Sequence, residues 1–128
     1  MTEQPDRTVR LTTAQALVRW MIAQRTELLD GTEAPLFAGV FGIFGHGNGL
    51  GLGTALHEAG DAMPTWRGQN EQGMALAAAA YARATDRRQV MVATSSVGPG
   101  ALNMVTAAGL AMANRLPVLF LAGDVFAN

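Results

Sequence analysis

Gln89-Val90-Met91-Val92-Ala93-Thr94-Ser95-Ser96-Val97-Gly98-Pro99-Gly100 is the stretch on which the fold turns. Residues 89–93 are apolar and β-rich with no polar alternation, the pattern of a strand covered on both faces. Residues 94–100 then bring hydroxyls, glycines and Pro99, the composition of a turn from strand into helix, with Pro99 presetting the first helical residue. Outward from here, 101–113 reads as a helix and 117–122 as a second apolar strand. Upstream, 37–44 is continuously apolar between Pro35 and Gly45 and reads as a buried strand. The Ala-rich 71–84 segment is a helix with Met74, Ala77, Ala78 and Tyr81 on one face. A helix over 51–58 and a short strand over 63–66 fill the interval. Thr12 and Thr13 precede Ala14, Leu17, Val18, Met21, Ile22, Leu28 and Leu29, a three-to-four spacing that predicts a hydroxyl-capped amphipathic helix ended by Asp30-Gly31.

Strands and helices therefore alternate. Fully apolar strands need helices on both sides, so the expected fold is α/β, a doubly wound, mainly parallel sheet with right-handed crossovers. An open sheet would normally continue past residue 122, so the domain, 11–128, is expected to be incomplete at its C-terminal end. Residues 1–10 are polar and read as a disordered lead-in.

The 128 residues suit about one domain. With 49% hydrophobic and 15% charged residues, disorder is excluded, and a net charge of −1 offers no footprint for nucleic acid or an anionic membrane. All nine basic residues are Arg, which removes a Walker-type phosphate loop, a Schiff base and a Lys general base. The absence of Cys removes disulfides, thiol nucleophiles and iron–sulfur ligation, and fits a cytoplasmic setting. Two uncharged stretches, 34–57 and 89–114, are broken by glycines, Pro99, Asn103 and paired serines, so neither reads as a membrane span.

Ligands of open parallel sheets gather beyond the carboxyl ends of the strands. The first such loop, Gly45-His46-Gly47-Asn48-Gly49, frees the backbone to approach a ligand but lacks the dinucleotide-binding register. His46 has two readings: polarising a carbonyl or relaying a proton, or hydrogen-bonding nearby backbone. His57, inside a helix beside Glu58, reads as solvated, and two histidines without matched carboxylates make no metal site. In the second loop, Asn70-Glu71-Gln72-Gly73 sets a carboxylate at a helix start, either for chemistry or simply to favour the helix dipole by about 0.3–1 kcal/mol. The third loop, 94–100, is either a pocket for an anion or polar ring, or plain turn chemistry.

Three motifs occur in order: Phe41-Gly42-Ile43-Phe44-Gly45-His46-Gly47-Asn48, Arg67-Gly68-Gln69-Asn70-Glu71-Gln72-Gly73-Met74-Ala75 and Thr94-Ser95-Ser96-Val97-Gly98-Pro99-Gly100-Ala101. Together with Pro117-Val118-Leu119-Phe120-Leu121-Ala122-Gly123-Asp124, they resemble the pyrimidine-binding domain of thiamine-diphosphate enzymes from about Leu11 onward. The His-Gly-Asn at 46–48 and the serine pair before Val97 are most similar to the branch that opens a cyclic 1,2-dione in myo-inositol breakdown. Synthase and decarboxylase branches come second.

The resemblance implies that Glu71 hydrogen-bonds N1′ of the aminopyrimidine and favours its imino tautomer, so that a thiazolium carbanion can attack a carbonyl of a small cyclic diketone. It implies His46 as a second catalytic residue, with His46, Gly47 and Asn48 toward substrate. Ser95, Ser96, Gly98, Pro99 and Asn103 would line the thiamine diphosphate site alongside Glu71. The family holds the diphosphate through Mg2+ on a separate domain with a Gly-Asp-Gly signature, absent from this sequence. A chain without that domain is expected to be inactive alone and to form homo-oligomers, dimers or tetramers, through this domain. Rival readings are a nucleotide-binding α/β module and a regulatory or scaffolding domain.

Overall fold

A computed structural model describes residues 8–125, so most of the expected lead-in, 1–7, lies outside the described residues. The first helix, α1 (Thr13–Ala23), starts from a reciprocal cap: the Gln15 amide donates to Thr12 Oγ1 at 3.1 Å and the Thr12 amide to Gln15 Oε1 at 3.0 Å. It ends well before Asp30-Gly31, because Arg25–Glu27 (β1) and Glu33–Pro35 (β2) pair as an antiparallel hairpin. Leu28 and Leu29 continue the helical spacing in sequence, but strand pairing to residues 33–35 outweighs that local pattern, and Leu29 is exposed. Asp30 closes the hairpin turn by accepting from the Thr32 hydroxyl at 2.7 Å and the Thr32 amide at 3.0 Å. Those bonds, the hydroxyl's first, hold its carboxyl below the usual carboxylate range.

The remaining elements follow the expected order with shifted ends. β3 (Phe37–Gly42) stops two residues early, where the Phe44 ring folds back over Gly42. The glycine-rich run forms a wide π-helical turn (Gly49–Gly53) before α2 (Thr54–Ala59), since glycine is a weak helix former. β4 (Thr65–Arg67) follows, then α3 (Glu71–Ala84) as expected. On α3, Met74 and Ala78 are buried and Tyr81 is half-buried, but Ala77 is exposed. Ala75, Ala79 and Ala82 are buried instead, because a second helix as well as the sheet covers α3. β5 (Val90–Ser95) runs two residues further than expected. The expected 101–113 helix is split into α4 (Pro99–Leu102) and α5 (Val105–Ala113), and β6 (Val118–Ala122) completes the set.

β4, β3, β5 and β6 form one parallel sheet in that order. Strand residues alternate between two cores. Val40 and Val92 pack with Val18, Met21 and Leu56 under α1 and α2, whereas Phe41 and Ala93 pack with Met74, Ala75 and Met104 under α3 and the α4–α5 segment. Helices thus cover both faces, the doubly wound arrangement. From β3 the chain moves one way to β4 and then crosses back to β5, so the direction of winding reverses between β3 and β5. Such a reversal opens a crevice at the carboxyl ends of the two strands, where ligands bind in this class of sheet.

Met21 is completely buried, and Met21→Ala is expected to lower stability by about 2–5 kcal/mol. Leu29→Ala, at an exposed position, should stay within about 0.5 kcal/mol, with urea denaturation as the measurement.

Candidate functional site

One amide side chain ties the crevice. Asn48 accepts the Gly45 amide at 3.0 Å through Oδ1, and its Nδ2 donates to the Ser95 carbonyl at 2.8 Å and to Thr94 Oγ1 at 3.3 Å. Thr94 Oγ1 donates in turn to the Leu121 carbonyl at 2.8 Å, while the Gly123 amide donates to the Ser95 carbonyl at 2.9 Å. The ends of β3, β5 and β6 are therefore joined through side chains as well as through the ladder. Both Asn48 donors are engaged within the protein, which gives this residue a framework role beside the substrate role expected from sequence. Ser95 is fully buried and its hydroxyl donates to the Ser96 carbonyl at 3.1 Å, another framework contact.

His46 and Gly47 occupy the exposed outer part of the same turn. His46 makes no side-chain hydrogen bond among the described residues, so the reading in which it binds nearby backbone is not the arrangement found. A side chain at Gly47 would run into the Asp124 carbonyl, so this turn lies against the loop that follows β6. His57 is exposed on α2, as expected.

Glu71 stands at the first position of α3 and is half-buried. The capping task belongs to its neighbour: Asn70 Oδ1 accepts the Gly73 amide at 3.0 Å, which leaves the Glu71 carboxylate free of its own helix. Oε2 accepts from Asn103 Nδ2 at 3.0 Å, across a sequence separation of 32. Oε1 faces Gly100, where a Cβ would stand 3.1 Å away and would also collide with the Ser96 hydroxyl. The turn that brings these groups together depends on Gly98, whose φ of +63° is a conformation L side chains rarely adopt, and on Pro99 at the start of α4. Glu71, Ser96, Gly100 and Asn103 are thus brought to one place. Gly98 and Pro99 lie on its exposed side.

This is a carboxyl group with one oxygen anchored by Asn103 and the other set close against Gly100, without a protein hydrogen bond among the described residues. At the positive end of a 14-residue helix it can accept a hydrogen bond from, or share a proton with, a flat nitrogen heterocycle. An aminopyrimidine ring fits that donor and acceptor set. Doubly wound sheet, helix-start carboxylate and glycine-flanked turn together define a pyrimidine-binding domain, and sequence comparison agrees. The chain belongs to the thiamine pyrophosphate enzymes, matching the "Thiamine pyrophosphate enzyme, N-terminal TPP binding domain" family over residues 33–128.

Among its relatives are proteins named 3D-(3,5/4)-trihydroxycyclohexane-1,2-dione hydrolase. That of Geobacillus thermodenitrificans is 58% identical over 121 residues, 94% of this chain and 19% of the relative. That of Listeria monocytogenes is 52% identical over 123 residues, 96% of this chain and 19% of the relative. The Bacillus thuringiensis protein is 54% identical over 121 residues, with 94% of this chain and 19% of the relative covered. The chain spans about a fifth of the length of these relatives.

Thr94 has no role among the sequence expectations, although a hydroxyl closing the otherwise apolar Met91-Val92-Ala93 run is a signal of one. Thr94→Val keeps the shape but leaves the Leu121 carbonyl without the Thr94 hydroxyl and removes an acceptor for Asn48. It is expected to cost about 1–3 kcal/mol in chemical denaturation. Ser96→Ala, whose hydroxyl has no protein hydrogen bond among the described residues, should change stability by less than about 0.5 kcal/mol.

Proposed function

We propose that this chain is the pyrimidine-binding part of a thiamine-diphosphate-dependent hydrolase that opens the ring of a trihydroxycyclohexane-1,2-dione in myo-inositol degradation. The observation that carries the proposal is the Glu71 carboxyl group at the start of α3, with Oε2 held by Asn103 and Oε1 close beside Gly100 and without a protein hydrogen bond among the described residues. The names of the relatives supply the substrate. Hydrolysis of the C–C bond between two ring carbons places hydroxide on the carbonyl carbon, giving a carboxylic acid, and a proton on the other carbon. When bound, thiamine diphosphate supplies the nucleophilic carbon and the electron sink that such a cleavage needs.

The residues of this chain do the rest. Glu71 binds a pyrimidine ring nitrogen and exchanges a proton there. Ser96, Gly98 and Pro99 line the ring's pocket, and the Ser95 backbone carries that lining. His46, exposed and without a protein hydrogen-bond partner among the described residues, is available to polarise the substrate carbonyl, with Gly47 and Asn48 shaping the turn that presents it. Mg2+ and the diphosphate belong to a separate domain, so this chain alone is inactive, and the working enzyme is a cytoplasmic homo-oligomer. Among the described residues no helix is long and apolar enough to cross a membrane.

Association is supported by the outer surface of the α4–α5 segment, where Leu102, Val105 and Met112 are 70%, 60% and 86% exposed.

Glu71→Gln in the full-length protein keeps a hydrogen-bonding side chain but removes the exchangeable acid. Turnover is expected to fall by about 10²–10⁴-fold, and wild-type turnover would remove Glu71 from the mechanism. Turnover of the cyclic dione must also exceed that of pyruvate; the reverse would assign the chain to a synthase or decarboxylase. For association, sedimentation velocity over a dilution series should show oligomers that Leu102→Asp and Met112→Asp shift toward monomer. A monomer at every concentration would contradict the proposal.

A further inference from the structure

Asn103 follows the last residue of α4, its amide donating to the Pro99 carbonyl at 3.1 Å, and its side chain reaches Glu71 Oε2 at 3.0 Å. We propose that Asn103 is a positioning residue that acts through Glu71 and decides which carboxyl oxygen carries the proton; this rests on the function proposed above. From sequence, Asn103 was expected to line the cofactor pocket.

Little else holds the carboxyl group. Asn70 takes the capping bond to Gly73, so α3 itself does not orient Glu71. Among the described residues, Asn103 is the sole side chain hydrogen-bonded to the Glu71 carboxyl. An amide N–H can donate only to an oxygen lone pair, and in a protonated carboxyl the carbonyl oxygen is the better acceptor. With Oε2 engaged by Asn103, the proton of the neutral acid resides on Oε1, the oxygen beside Gly100.

The neutrality of the donor matters as much as its position. Arg or Lys at 103 would favour the carboxylate strongly over the acid, whereas an amide supports both forms and lets the proton come and go. The placement of Asn103 is in turn set by the turn before it. Gly98 in its positive-φ conformation and Pro99 start α4, and the Leu102 amide donates to the Gly98 carbonyl at 2.9 Å, so one turn of helix carries Asn103 across to α3. The Gly-Pro-Gly element thereby serves Glu71 from a distance, in addition to any contact with a ring.

The test uses the full-length protein with four variants: Asn103→Ala, Asn103→Asp, Glu71→Gln and the Asn103→Ala/Glu71→Gln pair. The readouts are thiamine diphosphate affinity by titration calorimetry in Mg2+, and kcat separately from KM. Asn103→Ala is expected to weaken cofactor binding about tenfold and to lower kcat by about 10–100-fold, the scale seen when outer partners of a functional ligand are lost, with KM for substrate unchanged. Asn103→Asp is isosteric but sets a second carboxyl against the first, so it should be at least as damaging as Ala. A side chain that only fills space would instead tolerate Asp.

In the Glu71→Gln background, Asn103→Ala should add no further loss of cofactor affinity or kcat, because the group it positions is gone. Wild-type cofactor affinity and kcat in Asn103→Asp, or losses that multiply in the double variant, would overturn the positioning role. If Asn103→Ala does not fold, the Asp variant alone decides. Impaired Glu71→Gln alongside wild-type Asn103 variants would sink this inference while leaving the proposed function standing. An unimpaired Glu71→Gln would sink the function itself.

Discussion

The Asn48 side chain draws the carboxyl ends of β3 and β5 together, and the Thr94 hydroxyl relays the connection to β6. Much of the site's geometry follows from this. Where winding reverses, neighbouring helices leave in opposite directions, and the sheet end would otherwise be a crevice with backbone groups open to water. Asn48 satisfies two of those groups, the Gly45 amide and the Ser95 carbonyl, and donates to the Thr94 hydroxyl as well. Its Oδ1 fixes the glycine turn through the Gly45 amide, where successive glycines leave the backbone a wide choice of conformations. Thr94 and Ser95, both completely buried, make the end of β5 a polar knot within an apolar sheet. Buried polar groups are favourable only when all are bonded, and no buried side-chain nitrogen or oxygen among the described residues lacks a partner.

With the β3–β5 crevice tied in this way, Glu71, Ser96, Gly100 and Asn103 meet toward α3 and α4. Small side chains make that possible. Gly100 lets the turn after β5 approach Glu71 Oε1 and the Ser96 hydroxyl closely, and alanines on α3 let that helix pack close to both the sheet and α5. The close packing holds the start of α3 in a fixed relation to the turn after β5, and that relation is what lets Glu71 and Asn103 meet. A pre-set carboxyl group needs little reorganisation when charge shifts on a bound ring, which is the main electrostatic advantage a protein can offer a cofactor.

Several features were legible because they are local. The glutamate at a helix start, the proline-led turn into α4 and the threonine cap of α1 each depend on residues within four positions of one another. So does the absence of alternation in β3 and β5, from which a two-sided sheet follows. Where local pattern competed with distant partners, it lost: Leu28 and Leu29 prolong the spacing of α1, yet residues 25–27 pair with 33–35. The break between α4 and α5 falls at Asn103 and Met104; Asn is a weak helix former, but a single one does not by itself predict a break, and burial of Met104 accompanies it.

Composition and short-range chemistry determined the fold class, the chemistries excluded by the lack of Lys and Cys, and the place of Glu71 at a helix start and of Gly98-Pro99-Gly100 at a turn into a helix. Only the tertiary structure decided that Asn48 braces the sheet, that Ala77 faces outward, and that Asn103 holds Glu71. Hydrogen bonds across 32 to 47 positions have no periodicity to read. They exist because parallel strands bring every second loop of the chain to the same end of the sheet, and their partners are known only once the register is set.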